Sequence, residues 1–379
     1  MKYKEFKDGV QLSRLGMGAM RLPETKDGQI DYEKAKEIIE QAYQGGINYF
    51  DTAYIYHNGF SETVLAKILK QYPRHTYYIA DKYNYQSSTD FAGQFAEQLE
   101  KMELEHIDFY LLHGIQDNFT DDILACGCID YFENMKKTGK IRYFGFSFHG
   151  SEASLDKMLA AYSKWDFVQI QLNYYDWEYG NQKAVYKKLE EAGIPVMVME
   201  PVHGGLLART DTRWAEKMLQ VRPGRSVASW AMRWLFDLDA LQVILSGMGD
   251  LDMLQDNLKT FEEGKPLDAG EHSMVKEATR MLRAETALPC TGCRYCCAAC
   301  PMGLNIPGLL ADYNEVKLEA GGSWRLQRQF GLPDDKRATA CIGCGACTAH
   351  CPQQLPIPSA MKEMTDIMKS MGQEKVTEE

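Results

Sequence analysis

Residues 77–113 read YYIADKYNYQSSTDFAGQFAEQLEKMELEHIDFYLLH. An aromatic and β-branched run, 77–82, gives way to a polar turn and then to an amphipathic stretch, 91–102, before a second apolar run, 107–113. The pattern is strand, helix, strand, and a helix between two strands is the connection that parallel strands require. The same alternation extends in both directions. Candidate strands lie at 15–18, 49–51, 77–82, 107–113, 141–147, 167–172, 195–200 and 243–246. Candidate helices lie at 32–44, 61–69, 91–102, 130–137, 151–161, 183–192, 226–236 and 250–259. Eight strand–helix pairs in about 250 residues favour a closed (β/α)8 TIM barrel over a doubly wound open sheet. The chain is therefore read as α/β over 1–262.

Turn residues agree with these elements. Gly45-Gly46 closes the first long helix, and Gly193-Ile194-Pro195 ends the sixth helix and starts the seventh strand. Before the first barrel strand, 3–6 and 10–12 flank Asp8-Gly9, a two-residue hairpin turn. The hairpin is expected to plug the N-terminal mouth of the barrel. A polar, turn-rich stretch at 262–270 marks a domain boundary, with a helix expected over 271–285.

The 379 residues are too many for one ordinary core, so two domains are expected. Hydrophobic residues at 45% and charged residues at 25% are usual for a folded globular chain and exclude pervasive disorder. A net charge of −11 argues against a nucleic-acid partner, because phosphate binding needs basic surface. No apolar run is long enough to span a bilayer, and no signal peptide is apparent at the start, so the expected location is the cytoplasm, where thiols stay reduced. Eleven cysteines in such a compartment need a reason other than disulfides, and nine of them fall between Cys290 and Cys351.

Those cysteines form two runs, Cys290-x2-Cys293-x2-Cys296-x3-Cys300-Pro301 and Cys341-x2-Cys344-x2-Cys347-x3-Cys351-Pro352. Both match the bacterial two-cluster ferredoxin run, in which the fourth cysteine ligates the other cluster. One 4Fe–4S cluster would then take Cys290, Cys293, Cys296 and Cys351, and the other Cys341, Cys344, Cys347 and Cys300. The runs belong to an internal repeat offset by 51 residues, from Cys290 to Pro307 and from Cys341 to Pro358. Pro307 and Pro358 are placed to open helices at 308–319 and 359–371. Two four-cysteine zinc sites are the competing assignment, but zinc usually takes paired C-x2-C knuckles. Cys297 falls outside the frame and reads as a packed thiol. The region 271–372 resembles the mostly α-helical type of ferredoxin-like domain, with a frayed tail at 373–379.

The barrel resembles the aldo-keto reductase family over about 1–260. The residues that carry the resemblance are Phe50-Asp51-Thr52-Ala53 with Tyr56, Ile79-Ala80-Asp81-Lys82, and Leu111-Leu112-His113, at the C-terminal ends of strands two to four, where barrel chemistry sits. The resemblance implies that a carbonyl and an alcohol are interconverted with a nicotinamide cofactor. Reduction puts negative charge on the carbonyl oxygen, so a proton donor is needed beside it. Tyr56 would be that acid, Lys82 the ammonium that lowers its pKa, Asp51 the counter-charge fixing Lys82, and His113 the group that orients the carbonyl.

The same resemblance implies nicotinamide contacts at Ser147 and Gln169, and pyrophosphate and adenine contacts at Ser246, Gly247 and Asn257. A helix N-terminus there would suit an anion. Three positions depart from the family pattern: Phe148 for the usual asparagine, Met199 for a stacking aromatic ring, and Met253 for the arginine that grips a 2′-phosphate. The last leaves NAD(H) and NADP(H) both open. Cys126, Cys128, His149, His203 and the tyrosines at 83–85 and 174–175 are secondary candidates for the pocket, with packing the plainer role.

A nicotinamide moves two electrons as hydride, whereas each cluster moves one. Coupling them usually takes a flavin, and no flavin motif is apparent. A substrate radical is a second route, and a structural or docking role toward a ferredoxin partner a third. The leading reading is an aldo-keto reductase-type oxidoreductase acting on a small carbonyl or alcohol. In it the two clusters exchange electrons with a partner or the active site. The alternative is an iron–sulfur electron-transfer protein on a barrel that no longer performs hydride transfer.

Overall fold

The computed structural model describes residues 1–286, 288, 290, 292–318 and 327–374. A short hairpin, β1 (Tyr3–Glu5) and β2 (Gln11–Ser13), pairs antiparallel. Eight further strands follow: β3 (Leu15–Gly18), β4 (Tyr49–Asp51), β5 (Tyr78–Tyr83), β6 (Ile107–Ile115), β7 (Ile141–Phe148), β8 (Phe167–Gln171), β9 (Val196–Met199) and β10 (Leu241–Ser246). Each runs parallel to the next, and β10 returns to β3 to close the barrel. Being covered on both faces, these strands read as apolar runs rather than as alternating ones.

Inside the barrel, Tyr49, Phe109, Leu111, Tyr143, Phe167, Met197, Val243 and Leu245 cluster with Phe6, Val10 and Leu12 of the hairpin. The Phe6 ring lies edge-on to Tyr143 at 5.0 Å and 5.5 Å from Phe109. Tyr49 and Phe167 open their strands, so the hairpin fills the N-terminal mouth. The inner space is tight enough to require glycine: a Cβ on Gly145 would fall 2.4 Å from the Phe167 carbonyl oxygen. Outside, the apolar faces of the helices pack on the sheet, with Ile38 and Ile39 of Tyr32–Gln44, Phe95 and Met102 of Phe91–Met102, and Leu155 and Met158 of Glu152–Ala161 in one core.

Helix starts follow from side-chain capping. Asp31, Asp90, Ser151, Ser226 and Asp250 each accept from the backbone N–H three residues on. The Asp8-Gly9 turn forms with both residues in the left-handed region and Val10 N–H donating to the Lys7 carbonyl. It differs from a simple hairpin in that Glu5 pairs with Gln11, so the ladder shifts register beside the turn. Within 1–262, three helices went unanticipated: Thr120–Ala125, Tyr174–Tyr179 and Arg213–Val221. The first two are single short turns set between strand and crossover helix, too brief for a 3.6-residue period to show.

The chain divides into two compact units, Met1–Val202 with Met218–Val275, and His203–Lys217 with Lys276–Glu379. In the second, helices Ile306–Leu318 and Ile357–Glu374 both begin on Ile-Pro and are equivalent in the repeat. Leu309, Leu310, Tyr313, Met361, Met364 and Met368 from the pair share a core with Cys296 and Cys347. Tyr313 Oη donates to Glu363 across the pair at 2.6 Å. The helix expected at 308–319 is described as Ile306–Leu318, residue 319 lying outside the described residues; of the tail expected at 373–379, residues 373 and 374 instead end the helix Ile357–Glu374, and 375–379 lie outside the described residues. Among the described residues no helix is long and apolar enough to cross a membrane.

Candidate active site and metal centre

Asp51 ends β4, Lys82 lies near the end of β5 and His113 toward the end of β6, so neighbouring strands bring them to one rim. Lys82 is fully buried, and its Nζ donates to Asp51 Oδ1 at 2.6 Å and to the Thr52 carbonyl at 2.5 Å. Tyr56 reaches the same point from the turn after β4. The Lys82 ammonium sits 5.0 Å from its ring centre, and the His113 ring meets it edge-on at 5.8 Å. All four residues singled out in the sequence are thus brought together. The turn itself is unusual: His57, Asn58 and Gly59 are consecutive left-handed residues with φ of 49°, 56° and 87°. Each non-glycine residue there costs about 1–2 kcal/mol, strain of the kind that collects at functional sites.

Burial pushes the Lys82 charge down, but Asp51 and Tyr56 outweigh it and the ammonium is held above its ordinary value. Asp51 is raised by burial against the pull of Lys82. Tyr56 departs from expectation. Burial raises its pKa and wins over the lowering by Lys82, with Asp51 and Glu200 adding to the rise. The phenol therefore stays protonated. Burial, then Lys82 and His149, push His113 well below its usual value, so its imidazole is neutral. Asn84 Nδ2 lies 3.4 Å from His113 Nδ1. An amide nitrogen only donates, which leaves the ring proton on Nε2.

A polar cluster behind Lys82 escaped the sequence reading. Gln98 Nε2 donates to Glu62 (2.9 Å), Asp81 (2.7 Å) and the Lys82 carbonyl (3.1 Å), while Tyr110 Oη donates to Gln98 at 2.5 Å. Burial and the Glu62 carboxylate raise Asp81 well above the carboxylate range, so it keeps its proton. A glutamine in the middle of the apolar face of Phe91–Met102 was the available signal.

The nicotinamide candidates can be tested for fit. Gln169 is 1% exposed, and its Oε1 is buried without a hydrogen-bond partner, an orphaned acceptor suited to a carboxamide N–H. Its Nε2 points to Met199 Sδ at 3.5 Å. Ser147 Oγ accepts from Gly114 N–H at 2.6 Å and keeps its own proton to donate. Asn257 Nδ2 donates to Ser246 Oγ at 2.9 Å, so these two brace each other. A Cβ on Gly247 would lie 3.2 Å from Arg21 Cβ, so the Arg21 stem packs over that glycine, while its guanidinium lies 4.0 Å from Glu200. At the helix N-terminus before Leu251, Asp250 is the cap, its carboxylate accepting from Met253 N–H at 2.8 Å.

The secondary candidates mostly pack. Phe148 is 2% exposed and stacks edge-on with Phe146. Cys126 and Cys128 both direct Sγ to the Ile123 carbonyl, and burial pushes the Cys128 thiol far up. Tyr83 is buried, its hydroxyl donating to Ser88 O. His203 is buried, 4.0 Å from Glu315, within the second unit.

In that unit, Cys290, Cys293, Cys296 and Cys351 line one concavity, and Cys300, Cys341, Cys344 and Cys347 line another. Each ring takes three sulfurs from one run and the fourth from the other. Among the described residues no three His, Cys, Asp or Glu side chains close in on a single-ion position. Gly292 and Gly343, with φ of 72° and 69°, let each loop turn between its first two cysteines.

Comparison with known proteins gives two domain matches. The aldo/keto reductase family matches residues 14–280, and a 4Fe-4S dicluster domain matches 289–355. An uncharacterized oxidoreductase, YqkF, of Bacillus subtilis is 25% identical over 313 residues, covering 72% of this chain and 96% of its own. The NADH-specific methylglyoxal reductase of Escherichia coli is 24% identical, covering 66% and 90%. L-galactose dehydrogenase of Arabidopsis thaliana is 24% identical, covering 70% and 89%. The solved structure of aldo-keto reductase AKR11C1 from Bacillus halodurans, in its holo form, superposes with a TM-score of 0.61 at 23% identity, over 73% of this chain and 96% of that one.

Proposed function

The chain belongs to the aldo/keto reductase family of oxidoreductases and carries a 4Fe-4S dicluster domain, and we propose that it interconverts a small carbonyl and an alcohol with a nicotinamide cofactor while two 4Fe–4S clusters exchange single electrons with a ferredoxin-type partner or the active site. The observation that carries the barrel half is the buried Lys82–Asp51 pair set against the Tyr56 phenol and the neutral His113. The nicotinamide supplies or takes the hydride. Gln169 Oε1 and the Ser147 hydroxyl would hold its carboxamide. His113 Nε2–H donates to the substrate oxygen. Tyr56 gives that oxygen a proton as negative charge develops, and Lys82 stabilises the phenolate left behind, itself fixed by Asp51. Met253 brings no charge to a 2′-phosphate, which favours NADH.

The cysteine rings fit clusters better than zinc. Four sulfurs that line one concavity without closing on a single-ion position among the described residues suit a multi-atom cube, whereas a zinc ion draws its thiolates to about 2.3 Å. Cys290, Cys293, Cys296 and Cys351 would hold one cluster and Cys300, Cys341, Cys344 and Cys347 the other. Such clusters supply one-electron transfer.

Tyr56→Phe tests the barrel chemistry. Carbonyl turnover with NADH should fall by about 10²–10⁴-fold with NADH binding and iron content unchanged. Undiminished turnover would reject Tyr56 as the acid. The second reading, a barrel that has stopped transferring hydride, is motivated by Phe148 and Met199, which stand where the family usually has an asparagine and a stacking ring. Anaerobic titration showing tight binding of NADH would count against it.

A further inference from the structure

The sequence repeat relates the two cysteine rings, so each lining position in one has a counterpart 51 residues away. Most pairs match in kind: Pro301 with Pro352, and Leu304 with Leu355. Two pairs do not. Gly345 lines the ring of Cys300, Cys341, Cys344 and Cys347, and its counterpart Arg294 lines the other. Met302 lines the first ring and Gln353 the second. Among the lining residues other than cysteine, one ring has only apolar side chains, and the other includes Arg294 and Gln353.

The backbone at Arg294 makes this difference hard to dismiss as surface drift. Arg294 has φ of 66°, the left-handed conformation that Gly345 adopts at 76°. Glycine takes it freely, while a side chain there costs about 1–2 kcal/mol. The first copy of the repeat thus carries an arginine in a place where the second copy has the unstrained residue, and that arginine lines the sulfur ring. Among the described residues, none that lines the other ring carries a charge. Lys336 donates to the Met302 carbonyl at 3.4 Å, but Asp335 balances it at the same distance.

We infer that Arg294 and Gln353 make the ring of Cys290, Cys293, Cys296 and Cys351 the higher-potential of two cluster sites, where an entering electron settles first. This rests on the two-cluster reading above. A cluster that gains one electron gains one negative charge, and nearby positive charge or amide N–H groups stabilise that state. The apolar ring lacks both and holds its electron less firmly. Arg294 is exposed, so solvent and salt weaken its effect. A preference of about tenfold, or ~59 mV for a one-electron couple, is the scale to look for.

The test is a redox titration of the full-length, anaerobically purified protein. Dithionite, oxidised to sulfite, supplies the electrons, and the reduced clusters are followed by electron paramagnetic resonance. Two separate one-electron steps are expected. Arg294→Gly, which installs the residue of the sister repeat, should lower the upper step by about tenfold in equilibrium constant and leave the lower step in place. Gln353→Met should move the same step, by less. Gly345→Arg should raise the lower step. With iron intact at about eight per chain, a single unresolved step, or an Arg294→Gly shift confined to the lower one, would overturn the inference and leave the two-cluster reading standing. Iron far below eight would overturn both.

Discussion

In the barrel, Lys82 reaches Asp51 across 31 residues of chain, and His113 and Tyr56 join from two further segments. In the second unit, three of each ring's four sulfurs come from one short loop, and the fourth from its copy. The first site is held by a core that folds around it. Its charges are paired and fully enclosed before any ligand arrives. The second offers sulfurs round an open space, with a modest core of leucine, isoleucine and methionine behind them. One region positions its chemistry by packing distant segments together, and the other by two copies of one short loop.

That contrast breaks most visibly if iron is removed. Binding free energy at a metal site of this size is largely folding free energy. Stripping iron with a chelator and an oxidant should therefore expose the backbone of 276–374 to hydrogen exchange while β3 to β10 stay protected. Equal protection of both regions before and after would erase the distinction. A smaller effect sharpens it from the other side. Asp51→Asn leaves the Lys82 ammonium buried without its partner and should destabilise the barrel by about 3–5 kcal/mol in denaturant unfolding. Cluster absorbance should be unaffected. A loss below about 1 kcal/mol would mean the pair is not enclosed as described.

Acid gives the smallest of the three effects. Burial opposes charge on Glu271, but paired hydrogen bonds from Arg233, the N–H of Asp268 and the nearby Arg222 hold its carboxyl down at about 2. A carboxyl lowered in the folded state stabilises it above the ordinary carboxylate range, and that contribution is lost as pH falls through the range toward 2. Barrel stability should thus decline from about pH 4.5 downward, and Glu271→Gln should flatten the decline. An unchanged acid limb in that variant would remove Glu271 as its cause.

How much was legible in the sequence follows the same divide. The cysteine grouping is local, so spacing and repeat were enough to gather the two sets of four. The barrel was legible because each crossover repeats one pattern; strand starts at 15, 49, 107, 141 and 167 agree with β3, β4, β6, β7 and β8. Less legible was anything set by packing against distant chain. Gln98 gave a hint by interrupting an apolar face, but its partners Glu62 and Asp81 lie on other elements. The direction of the Tyr56 shift depends on how deeply it is buried, which spacing does not encode, and so the ammonium was credited with more than it achieves. Asp250 could have been read as a cap rather than left out of an anion site, since it stands directly before the helix. The Arg294 and Gly345 difference was visible in the aligned repeats, but its meaning needed both the backbone angle and the lining of each ring.

The most direct test is a count of iron, zinc and acid-labile sulfide in the full chain purified without oxygen. About eight irons and eight sulfides per chain are expected, four of each for every ring of cysteines. Two zinc ions and no sulfide would contradict a barrel reductase joined to a pair of iron–sulfur clusters.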